Sequence, residues 1–221
     1  MWPRDLLLDA SGKSLYYSEG SGTRLLVRRV DTDAFNAPQT ILDKKRLAQS
    51  TLSPDRKTLF VLASEAAARN LVLIRYEAAT GKRGKEIAIP RRLSASLHAG
   101  ADRVVLRGPE GLGLVDAELT RLTVVSPGRN DQGAWLAPKG TRLYVEGFVP
   151  HTLNAYDVPA EATALPEAAF TMELQEPVRN ATQRGPTISP DGKFLLFSSG
   201  RLIALGKDAK PAKPAEPDPE P

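Results

Sequence analysis

Five segments of this 221-residue chain repeat one pattern, and a fixed period constrains architecture more than composition does. LDASGKSL from Leu8, LSPDRKTL from Leu52, LHAGADRV from Leu97, LAPKGTRL from Leu136 and ISPDGKFL from Ile188 align without gaps. Their spacings are 44, 45, 39 and 52 residues, a mean of 45. Each segment runs into a short apolar stretch: Leu15–Tyr17, Leu59–Leu62, Val104–Leu106, Leu143–Val145 and Leu195–Phe197. These are strand signals, and the turn before each has a physical logic. In Ser189-Pro190-Asp191-Gly192, Pro presets φ, Asp bonds the backbone beyond it and Gly accepts positive φ. Each segment therefore predicts a hairpin.

A third strand follows in every repeat, at Leu25–Val30, Leu71–Tyr76, Leu112–Val115, Leu153–Tyr156 and Leu202–Leu205. A fourth is readable in four of them, near Thr40–Leu42, Glu86–Ile89, Leu122–Val125 and Thr171–Leu174. Four short strands every 45 residues describe one propeller blade. The chain is predicted to be all-β, a propeller with blades starting near residues 6, 51, 96, 135 and 186.

The repeat resembles the WD40-like, TolB-type and YVTN-type bacterial β-propeller repeats, whose hallmark is an SPDG turn before an aromatic-containing strand. Ser189–Lys193 matches fully through Pro190, Asp191 and Gly192. Ser53–Lys57 keeps Pro54 and Asp55 but has Arg56 for Gly. The first copy keeps Gly12 without the Pro, and the fourth keeps Pro138 and Gly140 with Lys139 for Asp. The third, at His98–Asp102, keeps neither the Pro nor the Asp-Gly pair, and the Trp-Asp dipeptide of eukaryotic repeats is missing. The likeness covers residues 6–206 and implies a fold that hosts many unrelated activities.

Four full repeats and a three-stranded fifth leave two closures open: a compact five-bladed ring, or an arc of a larger propeller. An arc would present an open edge at Leu202–Leu205 and leave the inner face of blade one uncovered at Leu6–Leu8, and open edges predict self-association. Residues 207–221 carry five prolines and no large apolar residue, so they are expected to form a disordered or polyproline-like tail. Self-association should not depend on that tail.

Composition narrows the chemistry. The chain has no cysteine, two histidines and no run of 18 apolar residues, so thiolate chemistry and a membrane helix are excluded. No signal peptide is visible; the chain as written is expected in the cytoplasm, or in the periplasm if a leader precedes it. Residues 1–107 hold 19 Lys/Arg against 11 Asp/Glu, while residues 108–221 hold 11 against 15. Arg24, Arg28, Arg29, Lys44, Lys45, Arg46, Arg91 and Arg92 read as solvated surface charges, and nucleic acid is not the expected partner.

Catalytic signals are few. His98 is expected in a solvated inter-strand turn, whereas His151 lies in a blade-end loop and is the better site candidate. Asp31 and Asp33 form D-x-D without the rest of a calcium loop, and Gly108–Gly113 lacks the following helix of a phosphate loop. Asn180-Ala181-Thr182 is a glycosylation sequon by pattern only. Tyr16, Phe60, Tyr144 and Phe197 are expected at equivalent second-strand positions that pack between blades, with Trp135 also in the core. No catalytic, metal or cofactor site is assigned. The expected function is non-catalytic binding of a protein or peptide through blade-end loops. The alternative is an enzyme or enzyme accessory domain, such as a propeller lactonase or the gating propeller of a hydrolase.

Overall fold

A computed structural model describes residues 4–21, 24–44, 46–64, 70–93, 96–109, 111–125, 131–147, 152–174, 187–189, 191–196 and 202–205. Blade one comprises β1 (Arg4–Leu8), β2 (Ser14–Ser21), β3 (Arg24–Asp31) and β4 (Ala34–Lys44). Blade two comprises β5 (Arg46–Leu52), β6 (Thr58–Ser64), β7 (Asn70–Glu77) and β8 (Arg83–Pro90). A 3-10 turn, Arg91–Leu93, leads to blade three: β9 (Ser96–Ala99), β10 (Arg103–Gly108), β11 (Gly111–Asp116) and β12 (Leu122–Val125). Blade four holds β13 (Asp131–Leu136), β14 (Arg142–Gly147), β15 (Thr152–Asp157) and β16 (Phe170–Glu173). Blade five has three described strands, β17 (Thr187–Ile188), β18 (Phe194–Leu196) and β19 (Leu202–Ala204). Every blade is an antiparallel meander with strands in chain order, so the fold is an all-β propeller arrangement.

Sheet faces explain why these strands lack simple alternation. An inner blade buries both faces, so its second strand must be apolar throughout. TLFVLAS in β6 is buried at every position after Thr58. Along each second strand, successive side chains point to opposite neighbours. Leu59 and Val61 pack with Tyr16, Val27 and Leu42 of blade one. Phe60 and Leu62 pack with Val104, Leu106 and Val115 of blade three. Val105 and Leu114 meet Leu143 and Val145 at the next seam, and Tyr144 and Leu153 meet Leu195 and Ile203 at the last. Four apolar seams hold five blades together.

Register sharpens two expectations. Ile188 pairs with Leu195, as Leu8 pairs with Leu15, Leu52 with Leu59 and Leu136 with Leu143. Tyr16, Phe60, Val105 and Tyr144 each follow the anchor of their second strand, and in blade five that place belongs to Leu196. Phe197 is one residue further on and outside the described residues. The third repeat departs more. Ala99 pairs with Val104, so its turn is two residues shorter than the Leu52–Leu59 turn. His98 is therefore a strand residue opposite Val105, not a solvated turn residue. Without the Pro and the Asp-Gly pair, Gly100 donates directly to the Arg103 carbonyl at 2.8 Å and closes a tighter turn.

One hydrogen bond recurs in all five blades. The residue after the third strand donates its N–H to the carbonyl just before the second strand. The pairs are Thr32 to Lys13, Ala78 to Lys57, Ala117 to Asp102, Val158 to Thr141 and Leu205 to Lys193, at 2.6–2.9 Å. This bond sets the outer turn of each blade against its inner turn.

Candidate functional site

Turns between first and second strands, and between third and fourth, gather on one rim of the blades. Gly12, Gly140 and Gly192 adopt φ of 73°, 79° and 73°, and Arg56 takes the same left-handed conformation at 58°. In the second turn the Ser53 hydroxyl donates to Asp55 Oδ1 at 2.5 Å, and the same oxygen accepts the Lys57 N–H. The fifth turn repeats this with Ser189, Asp191 and Lys193. The Ser53 hydroxyl bond holds the Asp55 carboxyl below its ordinary range, and the Ser189 hydroxyl does the same to Asp191. In the first turn burial opposes ionisation of Asp9, but the Ser14 N–H at 2.9 Å and the Ser11 hydroxyl outweigh it. Pro54 is exposed and Pro138 half-buried, whereas Pro190 lies outside the described residues.

Arg56 gives a direct test of this turn. An L-residue in the left-handed region carries roughly 1–2 kcal/mol of strain, and glycine gives back about half of that in unfolded-state entropy. Arg56→Gly should therefore stabilise the protein by about 0.5–1 kcal/mol in denaturant titration, and Gly192→Val should destabilise it. No gain from Arg56→Gly would show that the turn conformation is not strained.

Side chains on this rim join neighbouring blades. The Tyr16 hydroxyl donates to the Ala78 carbonyl at 2.7 Å, and burial pushes its pKa up. Arg29 Nη2 donates to Ser14 Oγ at 2.8 Å and to the Ala79 carbonyl at 2.9 Å. Arg103, 7% exposed, donates through Nη1 to the carbonyls of Val158 and Pro159 at 3.1 and 3.2 Å. Arg121 reaches the Ala160 carbonyl and the Glu161 carboxylate, while Arg75 pairs with Glu118. Arg28 pairs with Glu19. Arg28 and Arg29 are thus engaged within the fold rather than free surface charges.

A cavity of about 140 Å³ opens at this rim between blades three and four, lined in part by Asp102, Arg103, Asp116, Arg121 and Thr123. Arg103 and Arg121 already engage backbone carbonyls, and Thr120 and Arg121 N–H groups engage Asp116. Two carboxylates lie beside the two guanidiniums in this lining, so the cations are not an unopposed anion seat. Asp31 Oδ1 accepts the Asp33 N–H at 3.0 Å, so the D-x-D motif closes the β3–β4 turn. Among the described residues no three acidic or histidine side chains cluster for a metal, and no helix is long and apolar enough to cross a membrane.

His98 sits in the seam between blades three and four, where its Nδ1 accepts the Leu136 N–H at 3.2 Å. Burial lowers its pKa to about 4, so the imidazole is neutral at physiological pH. It is a packing residue with an occupied acceptor. His151, the blade-end loop candidate, lies outside the described residues.

The remaining unusual surface is apolar. Among the described residues the exposed large hydrophobics are Leu6, Leu8, Phe194, Leu196 and Leu202. All five belong to the first and last blades. The sequence predicts an open edge at Leu202–Leu205 and an uncovered inner face of blade one at Leu6–Leu8; the structure exposes these apolar side chains on the two blades.

No family profile and no curated protein sequence matches this chain. Solved structures do. The chain is similar to TolB from Acinetobacter baumannii, at 13% identity over 92% of this chain and 51% of that one, with a TM-score of 0.59. The β-propeller domain of Myceliophteria thermophila Cps50 (Swd1) gives 14% identity, coverage of 91% and 62%, and a TM-score of 0.61. The propeller domain of the Trilobed protease from Pyrococcus furiosus, described as having an open velcro topology, gives 15%, 96%, 68% and 0.58. The chain therefore has a WD40/TolB-like propeller fold and spans about half to two thirds of these chains.

Proposed function

We propose that this protein is a non-catalytic propeller that binds a protein or peptide partner through its blade-end loops. The observation that carries this reading is that the polar side chains at the turn rim, and His98, are already engaged in holding the fold. On the rim formed by the first-to-second and third-to-fourth strand turns, Asp9, Asp55, Asp116 and Asp191 hold turns, and Tyr16, Arg29, Arg103 and Arg121 tie blades together. His98 is neutral, half-buried and already bonded. A frame of this kind is rigid and chemically quiet, and binding residues on rigid frames sit in connecting loops. Residues 149–152, with His151, are the segment assigned to recognition.

Peptide phage display on the purified chain, followed by calorimetry, tests the reading. Selected peptides should bind the native chain, and replacing residues 149–152 with a Gly-Ser linker should abolish binding without changing the unfolding midpoint. Hydrolysis of lactones or peptide esters that disappears in His151→Ala would overturn it in favour of an enzyme.

A further inference from the structure

Each seam joins a forward face of one blade to a backward face of the next. Tyr16, Phe60, Val105 and Tyr144 are buried forward-face residues, at 0, 1, 1 and 2% exposure. Leu196 holds the same register position in blade five and is 48% exposed, with its cross-strand partner Leu202 at 45%. The backward face behaves alike. Ala99, Leu136 and Ile188 pair with the anchors Val104, Leu143 and Leu195 and are almost fully buried, and Leu52, paired with Leu59, is half-buried against blade one. Leu8 pairs with the anchor Leu15 in the same way and is 40% exposed, and Leu6 beside it is 57% exposed. Among the described residues, blade five thus exposes apolar side chains on its forward face, and blade one does so on its backward face at Leu6 and Leu8. Both remain exposed, so they do not cover each other within one molecule.

We propose that these two faces bind each other between copies of the chain, so that blade five of one molecule seats blade one of the next. The contact has the order of the four seams inside each molecule and apolar residues at the same register positions: aliphatic backward positions against Leu196, where the internal seams place Tyr16, Phe60, Val105 and Tyr144. Such a contact is head-to-tail rather than two-fold, so it extends the blade stack and closes only if its rotation permits a ring.

Light scattering on three full-length proteins tests this. The native chain should show a mass that rises with concentration across the micromolar range. A variant with Leu196→Lys and Leu202→Lys should be monomeric, as should one with Leu6→Lys and Leu8→Lys. Mixed in equal amounts, the two variants should form a dimer, because each retains the face the other lacks; that recovery also shows that both are folded. A monomeric native chain, a mixture that stays monomeric, or either variant associating by itself would overturn the proposal.

Discussion

Gly108→Ala should destabilise the protein by about 3–5 kcal/mol, the range of severe overpacking, and lower its thermal midpoint by about 10 °C. Gly108 ends β10, opposite Gly111 across the hairpin. A Cβ there would stand 1.4 Å from the Arg92 carbonyl oxygen and 2.6 Å from the Leu93 Cα. Both are backbone atoms of the turn that carries the chain from blade two to blade three, so no side-chain rotation relieves the clash. Displacing that turn also withdraws Leu93, which is fully buried in the seam between those blades. Gly12→Ala is the control: nothing lies within 4 Å of its would-be Cβ, although its φ is +73°. It should cost only about 1–2 kcal/mol, from backbone conformation alone. Equal losses in the two variants, measured by urea unfolding, would refute the close-approach account of Gly108.

Acid should weaken the fold through His98 before it reaches the carboxylates. The folded pKa is about 4 against an ordinary value of 6.5, so between these pH values the unfolded chain binds more protons at this residue. Its contribution is fully present above pH 6.5 and lost as pH falls toward 4, to a total of about 3 kcal/mol. Asp9, Asp55, Asp116 and Asp191 have pKa values below 3.8, so their losses fall at lower pH. His98→Gln keeps a side-chain acceptor for the Leu136 N–H but cannot titrate. Unfolding free energies at pH 7 and pH 4.5 should therefore diverge less in this variant than in the native protein. Equal pH dependence would place the proton elsewhere.

Blade architecture was legible because turn chemistry and strand composition recur together. The predicted fourth strand Leu122–Val125 coincides with β12, and the other strands differ by extension or a residue or two at their ends. The third turn was misplaced because a gapless alignment cannot represent a shortened loop. His98 inherited the wrong environment from that offset. Phe197 was matched by residue type where register selects Leu196. The roles of Arg29 and Arg103 carry no local signal, since a carbonyl receiving a guanidinium lies some 50 residues away. His151 and Pro190 fall outside the described residues, so their assignments rest on the sequence pattern.

Packing that, among the described residues, joins blades to their neighbours in chain order has an evolutionary consequence. In a closed ring, gaining or losing one unit alters the angle at every joint. In a stack whose outer faces stay exposed, a tandem duplication adds one joint and leaves the others as they were. The recurrent main-chain bond, from Thr32 to Lys13 through Leu205 to Lys193, depends little on side-chain identity. Copies can therefore drift as far as the third turn has while retaining their geometry. Stability in such a stack grows roughly by a fixed increment per unit, as in other repeat arrays. Blade number is then a heritable variable, adjustable by recombination without redesign of the interior.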